Sequence, residues 1–169
     1  SLIRPKSELP ISAKITEITG ITNRELRQFC RSKGWTRDCW YDGFAEFYYW
    51  MMEHLGEDVV VVSHNGTTFD FIILKQIIRS LKEGGCDTSP WDNKIFYYID
   101  TLLLARRLLV NQEYFKQTTL CKRFGIQVTI AHRALADVEA LEQLYQKLVS
   151  HMKGYTHPEE IVDYINLKD

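Results

Sequence analysis

The run Val59-Val60-Val61-Val62 constrains this chain more than any other feature. Four consecutive β-branched side chains are stiff at χ1 and favour extended backbone. A short all-apolar run with polar flanks reads as a strand covered on both faces, as in a parallel sheet. A polar break follows, Ser63-His64-Asn65-Gly66-Thr67-Thr68, and then Phe69 to Leu81 repeats apolar residues at helical spacing before Gly84-Gly85. Strand followed by helix is the building unit of an α/β layered fold.

The rest of the chain extends that alternation. Phe44, Phe47, Tyr48, Met51, Met52 and Leu55 recur at helical spacing and Gly56 follows, which predicts a helix over Asp42 to Leu55. Ile95 to Ile99 reads as a second strand, and Thr101 can cap a helix running to about Val110. Thr118 to Phe124 predicts a short helix closed by Gly125. His132 precedes a long one whose apolar positions include Leu135, Val138, Leu141, Leu144 and Leu148. At the other end, Pro5, Pro10 and the β-branched Ile15-Thr16 predict extended chain and loop over residues 1–22. Asn23 looks like the N-cap of a short helix from Arg24 to Cys30. The tail, 154–169, reads as a loop and then a weak helix or strand. No repeat or linker interrupts the 169 residues, which fit one domain.

An apolar fraction of 45% and a charged fraction of 25% are those of a soluble globular protein. The net charge of −1 argues against gripping nucleic acid by bulk charge, but leaves room for a local basic patch. Cys30, Cys39, Cys86 and Cys121 form no C-x-x-C pair, which argues against a zinc ribbon and suits buried thiols in a reducing compartment. No apolar run approaches the roughly 18 residues of a membrane span, and no signal peptide is visible. The expectation is an intracellular protein of cytoplasm or nucleus, not secreted and without a membrane partner.

Sites in open parallel sheets lie beyond the carboxyl ends of the strands. Asp70, in the first turn of the helix after the first strand, could ligate a hard cation through oxygen, or merely complement the helix dipole. Asp100, directly after the second strand, could position a neighbouring group or a metal-bound water, or serve only as a turn residue before an N-cap Thr101. His132 and Asp137 lie roughly 140° apart around a helix at 100° per residue. They therefore share a site only if His132 stands at or before the helix start; otherwise both are solvent-facing polar residues.

Taken in order, these pieces closely resemble the second and third motifs of the DnaQ-like, DEDDh-type 3′–5′ exonucleases. They are His64-Asn65-x-x-x-Phe69-Asp70, Asp100-Thr101-Leu102, Leu120 to Phe124-Gly125-Ile126, and His132-Arg133-Ala134-x-x-Asp137. Upstream, Ile18-Thr19-Gly20-Ile21-Thr22 followed by Leu26 resembles the segment that precedes the second motif in that family. The resemblance implies an RNase H-like mixed sheet flanked by helices. It also implies two divalent cations, Mg²⁺ or Mn²⁺, and hydrolysis at the 3′ end of single-stranded DNA or RNA. Asp70 and Asp137 would match metal-holding carboxylates, and His132 the base that takes a proton from water. Asn65, Thr19, Gly20, Ile21 and Arg133 would lie along the substrate, with Asp100 and His64 in support. Of the other basic residues between the two motifs, Arg106, Arg107, Lys116, Lys122 and Arg123, some are expected on the substrate path.

The family's first motif, a D-x-E on the first strand, has no counterpart here. Seventeen residues precede Ile18 and none forms it; the one D-x-E in the chain, Asp137-Val138-Glu139, belongs to the third motif. The expectations are a fragment whose upstream part is not included, a member that has lost the motif and keeps a binding role, or carboxylates supplied by a partner chain. In each case the N-terminal strands of the sheet are missing or supplied elsewhere, and the Val59–Val62 strand is left with an apolar edge to be covered.

Overall fold

The computed structural model describes residues 10–35, 39–128 and 134–152. In chain order the elements are α1 (Ala13–Thr19), α2 (Asn23–Ser32), α3 (Cys39–His54), β1 (Asp58–Ser63), α4 (Asp70–Glu83), α5 (Ser89–Asp92), β2 (Ile95–Asp100), α6 (Thr101–Leu108), α7 (Gln117–Arg123) and α8 (Ala134–His151). The chain is α/β, and it divides into two compact units, Ser1–Leu55 with Gln76–Asn93 and Gly56–Lys75 with Lys94–Asp169.

The second unit holds the sheet. β1 and β2 run parallel, with Val59 opposite Phe96, Val61 opposite Tyr98 and Ser63 opposite Asp100. Because side chains alternate along a strand, these six share one face. On it Phe71 of α4 meets Tyr98 edge-on at 4.7 Å. From the opposite face Ile99 packs on a core of Leu104, Ala105, Leu109, Leu120, Cys121, Ala140, Leu144 and Leu148, contributed by α6, α7, α8 and the segment after α6. Of the expected mixed sheet, the described residues contain this parallel pair. The reading of β1 as covered on both faces needs correction: Val59 and Ser63 are buried but Val60 is 54% exposed. Among the described residues β1 has β2 as its one partner. Leu135 and Val138, expected on the apolar stripe of α8, are exposed as well. The core-facing stripe is Ala140, Leu144 and Leu148, at steps of four.

The first unit corrects the reading of residues 1–22, because Ala13–Thr19 is helical. Ser12 caps it by accepting from Ile15 N, and Gly20 ends it in the left-handed region at φ 68°. Two good caps thus override the β-preference of Ile15 and Thr16. The N-cap of α2 is Thr22, not Asn23. Thr22 and Glu25 form a reciprocal capping box, while the Asn23 side chain bonds both the amide and the carbonyl of Ile11. Tyr48 and Met51 of α3, Ile78 and Leu81 of α4, and Trp91 of α5 are buried. Among the described residues no helix is long and apolar enough to cross a membrane.

Candidate active site at the ends of the parallel strands

The turn after β1 is shaped by three residues. Asn65 adopts φ 65°, a left-handed conformation that asparagine tolerates better than most residues. Gly66 comes next, where an added Cβ would lie 2.5 Å from Ser63 Cβ and 2.8 Å from Phe71 Cζ. Only glycine lets the chain fold back this closely, through the single 3-10 turn Gly66–Thr68, into α4. The turn brings Asp70 back to the end of its own strand, where the buried Ser63 hydroxyl donates to Asp70 Oδ2 at 2.6 Å. That bond fixes the carboxylate while the residue stays exposed.

Asp100 ends β2 and is buried. Its Oδ1 accepts from the amides of Asn65, 2.8 Å, and Leu102, 3.0 Å. Its Oδ2 accepts from the Thr67 amide, 3.1 Å, and the Thr67 hydroxyl, 2.8 Å. Four donors occupy the lone-pair sites of one carboxylate. Asp100, rather than Thr101, is therefore the N-cap of α6, and the same group clamps the 65–67 turn. Each of its two oxygens thus accepts two hydrogen bonds.

His64 spans three elements. Its Nε2 lies 2.9 Å from the Phe115 carbonyl and its Nδ1 2.9 Å from Thr101 Oγ1. A carbonyl only accepts, so Nε2 carries the proton of the neutral ring. Thr101 Oγ1 also lies 3.1 Å from Ser63 O, so one hydroxyl proton faces two acceptors. Burial pushes the His64 pKa down, opposed by the Phe115 carbonyl and by the charge of Asp100.

Asp137 lies in the first turn of α8, and its carbonyl accepts from Gln117 Nε2 at 2.8 Å. Gln117 follows Phe115 by two residues. A continuous path of bonds thus runs from the β1 end through His64, Phe115 and Gln117 to the start of α8. Burial, and then the charge of Asp137, raise the pKa of the Cys121 thiol on α7.

Asp70, Asn65, His64, Asp100 and Asp137 all belong to the second unit. Thr19, Gly20 and Ile21 belong to the first unit, where the Thr19 hydroxyl donates to Ile15 O and accepts from Ile21 N. His132 and Arg133 lie outside the described residues. As a cation ligand Asp70 fits, with an exposed carboxylate whose Oδ1 has no hydrogen bond among the described residues. Among those residues no group of three or more metal-ligating side chains converges. Sequence reading missed Ser63, Thr67, Phe115 and Gln117. The first two stand inside the polar break and could have been suspected; a lone glutamine and a backbone carbonyl give no signal.

Residues 1–145 match the RNase T exonuclease family. The chain is 30% identical to a PolC-type DNA polymerase III of Bacillus cereus over 95% of its length and 10% of the relative. It is 32% identical to the same polymerase of Bacillus subtilis, over 90% of the chain and 9% of the relative. With that of Thermotoga maritima it shares 33% identity, over 99% and 11%. The chain thus spans about a tenth of the length of these relatives. With its strand–turn–helix site and this match over most of its length, the chain belongs to the RNase T exonuclease family, of the DnaQ-like, RNase H-like type.

Proposed function

We propose that residues 1–169 form most of one exonuclease domain that shortens single-stranded DNA from the 3′ end inside the cell, with its first two carboxylates contributed from outside these residues. DNA is preferred over RNA here because the relatives carry the name of a DNA polymerase. The observation that carries the reading is the Ser63–Asp70 bond. A buried hydroxyl orients an otherwise open carboxylate at the end of a parallel strand, where such sheets bind ligands.

Asp70 and Asp137 would share in holding two divalent cations, Mg²⁺ or Mn²⁺, whose chemistry when bound is to neutralise charge on the phosphate and to lower the pKa of water. His132 takes the proton of the attacking water at a ring nitrogen, a role that suits its ordinary pKa near neutrality. Asn65 and Arg133 orient the terminal nucleotide. Asp100 and His64 hold the Asn65 turn in place.

A second reading, a binding module without catalysis, is favoured by the absence of a converging ligand group among the described residues. The experiment is a gel assay on 3′-recessed and single-stranded end-labelled DNA with Mg²⁺. It compares residues 1–169, a longer version extended upstream to include a D-x-E strand, and His132→Ala in the longer version. The expected result is no cleavage by the short chain, 3′–5′ cleavage by the long one, and a loss of roughly 100-fold or more on removing the base. Robust Mg²⁺-dependent cleavage by the short chain overturns the placement of the missing carboxylates. A folded long version that binds DNA without cutting it establishes the second reading.

A further inference from the structure

Between Arg106 and Arg123 the chain carries five cations, Arg106, Arg107, Lys116, Lys122 and Arg123, against one anion, Glu113, in a protein whose net charge is −1. All five are exposed. Among the described residues no ion pair involves Arg106, Lys116, Lys122 or Arg123. Lysines and arginines normally find carboxylates within their own fold at little cost. Arg106, Lys116, Lys122 and Arg123, exposed and facing a single nearby anion in the sequence, form a local positive stretch of the kind that attracts a polyanion.

The connection between α6 and α7 is also braced more heavily than a surface loop needs. Arg123 donates to Gln112 Oε1 at 2.6 Å, and Gln112 Nε2 donates to the Tyr114 carbonyl at 2.7 Å. The Arg106 guanidinium lies over the Phe115 ring at 5.9 Å. His64 holds the Phe115 carbonyl, and Gln117 reaches the start of α8. Every one of these contacts fixes backbone or neighbouring side chains around Tyr114. The Tyr114 ring itself is 62% exposed and makes no hydrogen bond or ring contact among the described residues. An exposed aromatic on a hydrogen-bonded loop that carries cations before and after it in sequence has the components of sequence-tolerant sites for single strands, where bases stack on the ring while the cations track the phosphates.

We propose that the α6–α7 connection is a binding site for single-stranded DNA, in which Tyr114 stacks on a base and Lys116 and Arg123 meet the flanking phosphates. This rests on the exonuclease reading for its choice of DNA. It adds that the strand leaves the site over this loop, which His64 and Gln117 join to the turns bearing Asp70 and Asp137.

The test uses residues 1–169 and a fluorescein-labelled oligothymidylate in EDTA, so that no cleavage is involved. Anisotropy gives the affinity at several salt concentrations. Tyr114→Ala is expected to weaken binding roughly 10-fold or more while Tyr114→Phe leaves it unchanged, because the ring and not the hydroxyl does the stacking. Lys116→Ala and Arg123→Ala are each expected to lower the salt slope by about one, which Tyr114→Ala does not. As Arg123 also braces Gln112, Lys116→Ala is the cleaner of the two. Wild-type chain that fails to bind the oligonucleotide overturns the proposal. So does a Tyr114→Ala variant that binds as the wild type does, which would leave a plain cationic surface. Failure of the exonuclease reading shows separately, as binding in EDTA with no cleavage when the longer version receives Mg²⁺.

Discussion

Asp70, bonded to the last residue of β1, and Asp100, the last residue of β2, differ in how many hydrogen bonds they accept. Asp70 keeps an open oxygen, whereas all the lone pairs of Asp100 are taken by Asn65, Thr67 and Leu102. From the sequence alone Asp70 is a candidate ligand and Asp100 a positioning group or turn residue; the amides that the 65–67 turn aims at Asp100 are not legible there, because no spacing rule encodes them. His64 shows a similar limit. Its place in the polar break was legible, but its partner Phe115 lies 51 residues away. Its environment gives a pH prediction. Burial lowers the folded-state pKa below the ordinary histidine value of about 6.5. The folded state therefore prefers the neutral ring, and its stabilising effect is fully present above about pH 6.5. Stability falls as pH drops through that value toward the lowered folded pKa. Urea midpoints measured between pH 8 and 5 are expected to decline faster for the wild type than for His64→Gln, which has no ring to protonate. Parallel curves would show that His64 does not titrate differently on folding.

At the scale of elements, helices with a long periodic stripe were the most readable. The α3, α4 and α7 expectations match the structure to within a few residues, since burying one face fixes both period and extent. The misreadings fall where local capping outweighs composition, as in α1, or where one cap residue stands beside another, as with Thr22 and Asn23, and with Asp100 and Thr101. The start of α8 is held differently, by Gln117 from α7. Gln117→Glu keeps the shape of the side chain, removes the N–H donor and points an oxygen at the Asp137 carbonyl. Amide exchange in the first turn of α8 is expected to quicken several-fold, by about the 1 kcal/mol of a neutral hydrogen bond, while Leu144 and Leu148 in the core keep their protection. Unchanged exchange around Asp137 would mean that the glutamine does not hold the helix start. If the whole of α8 loosened, the bond would belong to general stability and not to the position of Asp137.

For the whole molecule, the feature that matters most is the free side of β1. A parallel strand of four valines normally lies inside a sheet, yet among the described residues this one pairs only with β2, and Val60 is 54% exposed. In the same unit Phe69 and Ile72, beside the site turn, and Leu135 and Val138, in the first turns of α8, are exposed too. This is what the sequence implied when its strand run lacked an upstream neighbour. A strand added along β1 would extend the sheet on the side of Ser63, the partner of Asp70. An uncovered apolar edge is a template for pairing with another chain. Residues 1–169 alone are therefore expected to self-associate as concentration rises, by sedimentation velocity in the micromolar range. Val60→Lys places a charge on the exposed position of that edge, the device by which soluble proteins block edge pairing. It is expected to shift the chain back toward monomer with little change in melting temperature, because an exposed valine contributes little to the core. Val59→Lys, at a buried position of the same strand, is expected to unfold the sheet instead. A wild-type chain that stays monomeric throughout would mean that the β1 edge is already covered within these residues, and the search for the missing strand would then turn inward.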